Sequence, residues 1–195
     1  AAASLGDLCH LTAGWLTGQI GSQLGYHGQV DVDEDQAPGL TAGLLALNAA
    51  GVCTRRSQGG HLGYLRTGSE AMWVQHAAVT GYANAADRYR LLAWADGTRY
   101  QVLTHIVRGR QHLTRPGQVV TWRDGQPLTE FGAQLSASEI RADLAGAGRK
   151  AVTAAVNALQ VTVWDPVPGP NTLWEHLARE LSPAATGPAR SGVTR

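Results

Sequence analysis

Residues 47–61 read LNAAGVCTRRSQGGH. The first of them close a helical pattern, and Gly51 suits the left-handed position at which many helices end. Residues 52–55 have the composition of a short strand, and the Gly-, Ser- and Thr-rich residues 57–71 predict a loop. Open α/β sheets usually bind ligands just beyond a strand end. The segment 54–61 is therefore the predicted binding site.

Helical and strand patterns alternate along the rest of the chain. Helical spacing and capping residues predict helices after Ser4, Pro38 and Asn84, from Ser136 or Ser138 to Leu159, and after Asn171. Residues 72–82 and 98–107 alternate like strands, and Asp124-Gly125 indicates a hairpin. This order predicts an α/β (or α+β) fold with a single mixed β-sheet covered by helices and a helical N-terminus.

The length of 195 residues favours one domain with a substantial core. We place this domain at residues 4–181. Residues 182–195 consist mainly of Ser, Pro, Gly, Ala and Thr with Arg, a composition that predicts a flexible C-terminal tail.

The composition narrows the partners and the cellular compartment that we expect for the protein. The net charge is +1, so no global field attracts nucleic acid or an anionic membrane. Two cysteines are too few for a disulfide framework and favour the cytoplasm, and no apolar run is long enough to span a bilayer. The near absence of lysine beside abundant arginine suggests a GC-rich bacterial genome. Because the chain starts at Ala1 and not at methionine, an upstream segment removed from it is an open expectation.

The pivotal segment offers several ligand-binding groups. Glycines at 59 and 60 permit φ > 0, which lets successive amides form an anion-binding nest. Neighbouring residues of a strand point to opposite faces, so one of the two arginines faces the site. The predicted binding residues for a small polar or anionic ligand are Thr54, Arg55, Arg56, Ser57, Gln58, Gly59, Gly60, Trp73 and Gln75. The alternative is an ordinary glycine turn beside a solvated arginine pair.

An enzyme, a transferase or a hydrolase, is a second hypothesis. His61 or His76 would act as general base, and Cys53 is a candidate nucleophile with these histidines nearby in sequence. The alternative for Cys53 is a small buried strand thiol.

An accessory protein that acts through its surface is a third hypothesis. Arg108, Arg110 and Arg115 form a basic loop that could contact the phosphates of a nucleic acid. A solvated loop is the simpler interpretation, and the oligomeric state is left open.

Common catalytic signatures are missing from the sequence. There is no Gly-x-Ser-x-Gly elbow, no P-loop and no Cys-x-x-Cys or His-Glu-x-x-His zinc motif. The sequence therefore predicts no metal site and no cofactor.

A family resemblance rests on two spaced patterns. Leu44-x-x-Leu47-Asn48-x-x-Gly51-x-x-Thr54-x-x-Ser57-Gln58-x-Gly60 is followed by Gln75-x-Ala77-x-Val79-x-Gly81. Together they resemble a family of uncharacterised proteins common in actinobacteria, whose loop usually reads Ser-Gln-Pro-Gly. This chain has Gly59 at the proline position, which implies a less rigid loop. The resemblance covers roughly residues 4–82 and implies a domain type without an activity; it suggests that Thr54, Ser57, Gln58 and Gln75 act together.

Overall fold

A computed structural model describes residues 2–23, 37–64, 70–109, 114–170 and 172–182. Arg110 and nearly all of the predicted tail, residues 183–195, lie outside the described residues. Within these ranges the chain forms helices α1 (Leu5–Leu16), α2 (Leu40–Ala49), α3 (Ala85–Ala95), α4 (Ala137–Asp143), α5 (Arg149–Val156) and α6 (Leu173–Leu181). Its strands are β1 (Cys53–Gln58), β2 (His61–Tyr64), β3 (Met72–Gln75), β4 (Ala78–Ala83), β5 (Gln101–His105), β6 (Gln118–Arg123), β7 (Gln126–Phe131) and β8 (Leu159–Trp164).

The α/β class and the helical N-terminus are confirmed. Helix α1 begins with a capping box: the Ser4 hydroxyl accepts from the Asp7 amide, and the Asp7 carboxylate accepts from the Ser4 amide. Helix α2 ends as its sequence predicts, because Gly51 adopts a φ of 89°.

The strands form two four-stranded sheets and not the single mixed sheet that the patterns suggested. Sheet one has the order β1-β4-β8-β5 and sheet two the order β2-β3-β6-β7, and the ladders within both are antiparallel. Period-two alternation identifies strands but does not name their partners. The predicted strand 72–82 is in fact two strands, because the chain leaves sheet two at His76 and enters sheet one at Ala78.

Two other predicted boundaries are also wrong. The predicted loop 57–71 contains the end of β1 and all of β2. The long helix predicted to reach Leu159 is divided into α4 and α5, where Gly146 adopts a φ of 94° that L side chains rarely take. Ser136 caps α4, as predicted. Asp124 and Gly125 both have a positive φ and form the predicted turn.

Sheet one carries helices on both faces. A cluster on one face combines α2, α3 and α6 with inward residues of the sheet, including Leu47, Leu91, Trp174, Val79, Val161 and Val163. The opposite face packs against α1, α4 and α5 through Leu8, Cys9, Cys53, Tyr82, Ile140, Leu144, Ala151, Ala155 and Ala158. Strand β1 lies at the edge of this sheet. It therefore meets both helical layers and is accessible along one side.

The two sheets are joined where β1 ends. The Gln58 amide nitrogen donates to the His76 carbonyl (2.9 Å), the Val120 carbonyl (3.2 Å) and the Thr121 hydroxyl (3.0 Å). One side chain thus connects the edge strand of sheet one to the centre of sheet two.

Replacing Gln58 by Met removes this connection at almost constant size. We expect Gln58→Met to lower the free energy of unfolding by about 1–2 kcal/mol, because partly buried acceptors lose their donor. Urea titration followed by tryptophan fluorescence measures the change. The control Gln126→Met alters an exposed glutamine and should cost less than about 0.5 kcal/mol. Equal losses in the two variants would refute the bridging role.

Candidate functional site

Several predicted binding residues make hydrogen bonds that hold the fold together. Thr54 is buried, and its hydroxyl accepts from the Asn48 side chain (2.7 Å), which also donates to the Leu44 carbonyl. Gln58 joins the sheets, and the Gln75 side chain donates to the Gly59 carbonyl (2.6 Å). Thr54, Gln58 and Gln75 are thus tied into backbone contacts. Ser57 is exposed on β1 and does not join them.

Other residues of the two spaced patterns that carry the resemblance also stabilise the fold. Leu44, Leu47, Ala77 and Val79 are core residues. A Cβ added at Gly81 would collide with the Cys53 carbonyl, because β1 and β4 approach closely. The pattern therefore describes how α2, β1 and β4 pack.

The proposed anion nest is not formed. Gly59 and Gly60 are not among the described glycines with positive φ. Gly60 is buried and Gly59 half-buried, between β1 and β2. The glycine pair links β1 of sheet one to β2 of sheet two.

The two arginines point to different environments, as strand alternation predicts. A bulge in the β1–β4 register lies between Thr54 and Arg56. Arg55 turns inward, with 5% of its side chain exposed. Arg56 is exposed and lies over the Phe131 ring, 4.8 Å from its centroid.

The candidate histidines and Trp73 lie with sheet two. The His76 ring nitrogen Nδ1 is 2.7 Å from the Asp165 carbonyl, and its ring meets Trp122 edge-on at 5.3 Å. His61 Nε2 is buried without a hydrogen-bond partner among the described residues. Trp73 is half-buried beneath the Arg123 guanidinium. The Cys53 thiol interacts with Cys9 and Thr12 of α1.

One arginine of the basic loop is held by contacts with the rest of the fold. Arg108 forms an ion pair with Glu139 of α4 (3.1 Å) and a hydrogen bond with the Thr114 hydroxyl. Arg115 is exposed.

A partly buried ion pair joins Arg55 to Asp143. The Arg55 Nε and Nη2 donate to the Asp143 carboxylate at 2.9 and 3.3 Å, and Nη2 also donates to the Asp143 carbonyl at 3.0 Å. The Tyr82 hydroxyl donates to the same carboxylate at 3.1 Å. Burial alone lowers the pKa of Arg55, but the hydrogen bonds and charge of Asp143 outweigh it and raise that pKa. Burial, together with Asp143, raises the pKa of Tyr82 well above its ordinary range. Arg55 therefore stays charged and fixed in direction.

A pair of thiols lies beside this ion pair. Cys9 on α1 and Cys53 on β1 are free and buried, and both belong to the hydrophobic cluster on this face of sheet one. The nearby Thr12 hydroxyl accepts from the Gln23 amide at 2.6 Å. The interaction with Cys9 lowers the pKa of Cys53; burial and the Asp143 carboxylate oppose this shift, and Arg55 and Thr12 reinforce it. The interaction with Cys53, together with burial, raises the pKa of Cys9.

A cavity of about 340 Å³ brings these groups together. It lies between α1, the start of β1 and the turn after α4, and the residues that line it include Leu8, Leu11, Thr12, Ile20, Ser22, Gln23, Cys53, Arg55, Leu144 and Ala145. Small-molecule sites typically begin at about 300 Å³ and combine apolar walls with a few polar groups. Arg55 also lines a second cavity, of about 110 Å³, together with Tyr82 and Asp143.

Sequence reasoning found Arg55 and Cys53 but missed their partners. Thr12 and Cys9 lie on the first helix, and Asp143 ends a helix far along the chain. The helical spacing of α1 identified its buried face without showing what that face packs against. One signal was available, because the chain has only two cysteines and both fall in apolar patterns.

The ion pair yields a stability prediction. Asp143→Ala should lower the free energy of unfolding by about 2–3 kcal/mol, because the nearly buried Arg55 loses a charged acceptor. Denaturant titration provides the measurement. The control Glu180→Ala breaks the exposed Arg179–Glu180 pair and should cost less than about 1 kcal/mol. If Asp143→Ala were as mild as its control, Arg55 would not depend on this carboxylate.

Across the part of the chain that the structure describes, no helix has both the length and the apolar character needed to cross a membrane.

Comparison with known proteins identifies a family but no activity. No curated protein matches the sequence. A family model described as "Domain of unknown function (DUF6919)" matches residues 1–184. The chain therefore belongs to this family of uncharacterised domains.

Proposed function

We propose that the protein binds a small molecule with an apolar body and a hydrogen-bond-accepting head group. The observation that carries this proposal is the Arg55 guanidinium, which lines a cavity of about 340 Å³ while only 5% of its side chain is exposed. Buried charges are costly and need partners, so a charged group at a cavity wall favours a recognition role.

The lining suggests the shape of the ligand. Leu8, Leu11, Ile20 and Leu144 supply apolar surface for its body. Arg55 and the Gln23 amide supply donors for one polar end. This site shares Arg55 with the predicted segment 54–61 but extends towards α1 instead of the glycine pair.

The charge balance narrows the head group further. Asp143 already neutralises Arg55, with a carboxylate oxygen 2.9 Å from Nε. A polyphosphate would meet this carboxylate as well as the guanidinium, and repulsion would offset attraction. A carbonyl group or a single carboxylate suits the site better.

A thermal-shift titration with hexanoate, hexanamide, benzoate and ATP tests the proposal. A ligand at 100 times its Kd stabilises the fold by about 2.7 kcal/mol. We therefore expect the melting temperature to rise by roughly 5–10 °C with a small amphiphile. ATP should leave it unchanged.

A variant that fills the cavity supplies the control. Ala145 is exposed at the cavity, so Ala145→Phe should remove the stabilisation without disturbing the core. The matched change Ala142→Phe, at an exposed position of α4 outside the lining, should keep it. Stabilisation by ATP alone, by none of the four compounds, or equally in both variants would refute the proposal.

A further inference from the structure

The two cysteines differ in their access to the cavity. Cys53 is one of the residues that line it, whereas Cys9 lies behind on α1 and is not among them. Both belong to the same buried cluster, and each thiol is the main influence on the pKa of the other, so the two sulfurs are close. A molecule in the cavity thus meets Cys53 first, with a second thiol within reach of the same sulfur.

The surroundings of Cys53 favour a reactive sulfur. The Thr12 hydroxyl lines the same cavity and lowers the pKa of the Cys53 thiol, and the Gln23 amide fixes that hydroxyl by donating to it at 2.6 Å. The positive Arg55 lies two residues further along the same strand and lines the same cavity. Hydrogen-bond donors and a nearby guanidinium stabilise a thiolate, which is the nucleophilic form of cysteine.

We propose that Cys53 and Cys9 form a two-cysteine site that reduces small organic hydroperoxides entering the cavity. The inference relies on the cavity of the proposed function but does not need a bound carboxylate. Apolar walls favour an organic peroxide over hydrogen peroxide, and a thiolate needs no metal or cofactor for this chemistry.

The reaction balances with the two thiols and one peroxide. The Cys53 thiolate attacks the terminal oxygen of R–O–O–H, the O–O bond breaks, and the alkoxide takes a proton and leaves as the alcohol. Cys53 is now a sulfenic acid. Cys9 then attacks the Cys53 sulfur and displaces hydroxide, which leaves as water with the proton lost by Cys9. The peroxide has gained two electrons, and the sulfurs, having lost them, form a disulfide.

Turnover needs an external dithiol. Thiolate exchange with such a molecule restores both cysteines and leaves the dithiol as its own disulfide. Because Cys9 is adjacent, the sulfenic acid should be captured before a second peroxide oxidises it further.

The direct experiment treats the reduced full-length protein with one equivalent of cumene hydroperoxide. We expect complete loss of two titratable thiols, an intramolecular disulfide by mass spectrometry and one cumyl alcohol per chain. Cys9→Ser should stop at a sulfenic acid that dimedone traps, and Cys53→Ser should consume no peroxide. An unoxidised wild type, equal consumption by Cys53→Ser, or a sulfinic acid without disulfide in the wild type would overturn the inference.

Two further measurements separate folding and binding from chemistry. Thr12→Val keeps both cysteines and nearly the same shape, so slower oxidation in a variant with a native circular-dichroism spectrum supports the role of the hydroxyl. Unchanged oxidation in Thr12→Val would contradict that role. Hexanoate binding by the reduced wild-type protein reports on the proposed function alone. Hexanoate binding without peroxide consumption rejects only the redox inference, and peroxide consumption without hexanoate binding rejects only the carbonyl-binding proposal.

Discussion

The pairing of Arg55 with Asp143 is the constraint on which the rest of the site depends. A guanidinium with 5% of its side chain exposed must keep its partner, because an unpaired buried charge costs several kcal/mol. Asp143 ends α4, so satisfying Arg55 fixes where α4 lies against β1. With α1 on the same face, this placement leaves the cavity between them. The ion pair and the buried Ile140 and Leu144 together hold this wall of the cavity in place.

Some residues of strand β1 stabilise the fold, and others face the candidate site. Thr54 faces α2 and is held by Asn48, while Cys53 and Arg55 face α1 and α4. Cys53 and Arg55 are two residues apart, so ordinary strand alternation places them on one face. At its end, Gln58 ties the strand to sheet two. An edge strand with so many side-chain anchors is held in register while its cavity side remains available to a ligand.

Much of the fold could be predicted from local signals. Ser4, Asn84 and Ser136 cap helices, and Gly51 ends one, because each effect acts within a few residues. The division into two sheets could not be predicted. It depends on a break at His76 and Ala77, where the alternating pattern continues although the backbone changes sheets. Pairing partners are set by long-range packing, which one strand's sequence does not contain.

The candidate site shows the same limit. The sequence led us to predict a site around Gly59 and Gly60 because of their backbone freedom, and in the structure this pair connects the two sheets. The site that we propose lies at the start of the same strand. Thr12, Cys9 and Asp143 join it only through the packing of α1 and α4, and no local motif indicates that contact.

The most direct test follows the arginine Nε–H signals by nuclear magnetic resonance while hexanoate is added. Arg55 should give a sharp, solvent-protected signal, because Asp143 holds its Nε at 2.9 Å, and this signal should shift on addition of the ligand. The exposed Arg56 is an internal control and should not move. An Arg55 signal that exchanges with water as fast as that of Arg56, or that ignores the ligand, would contradict the account.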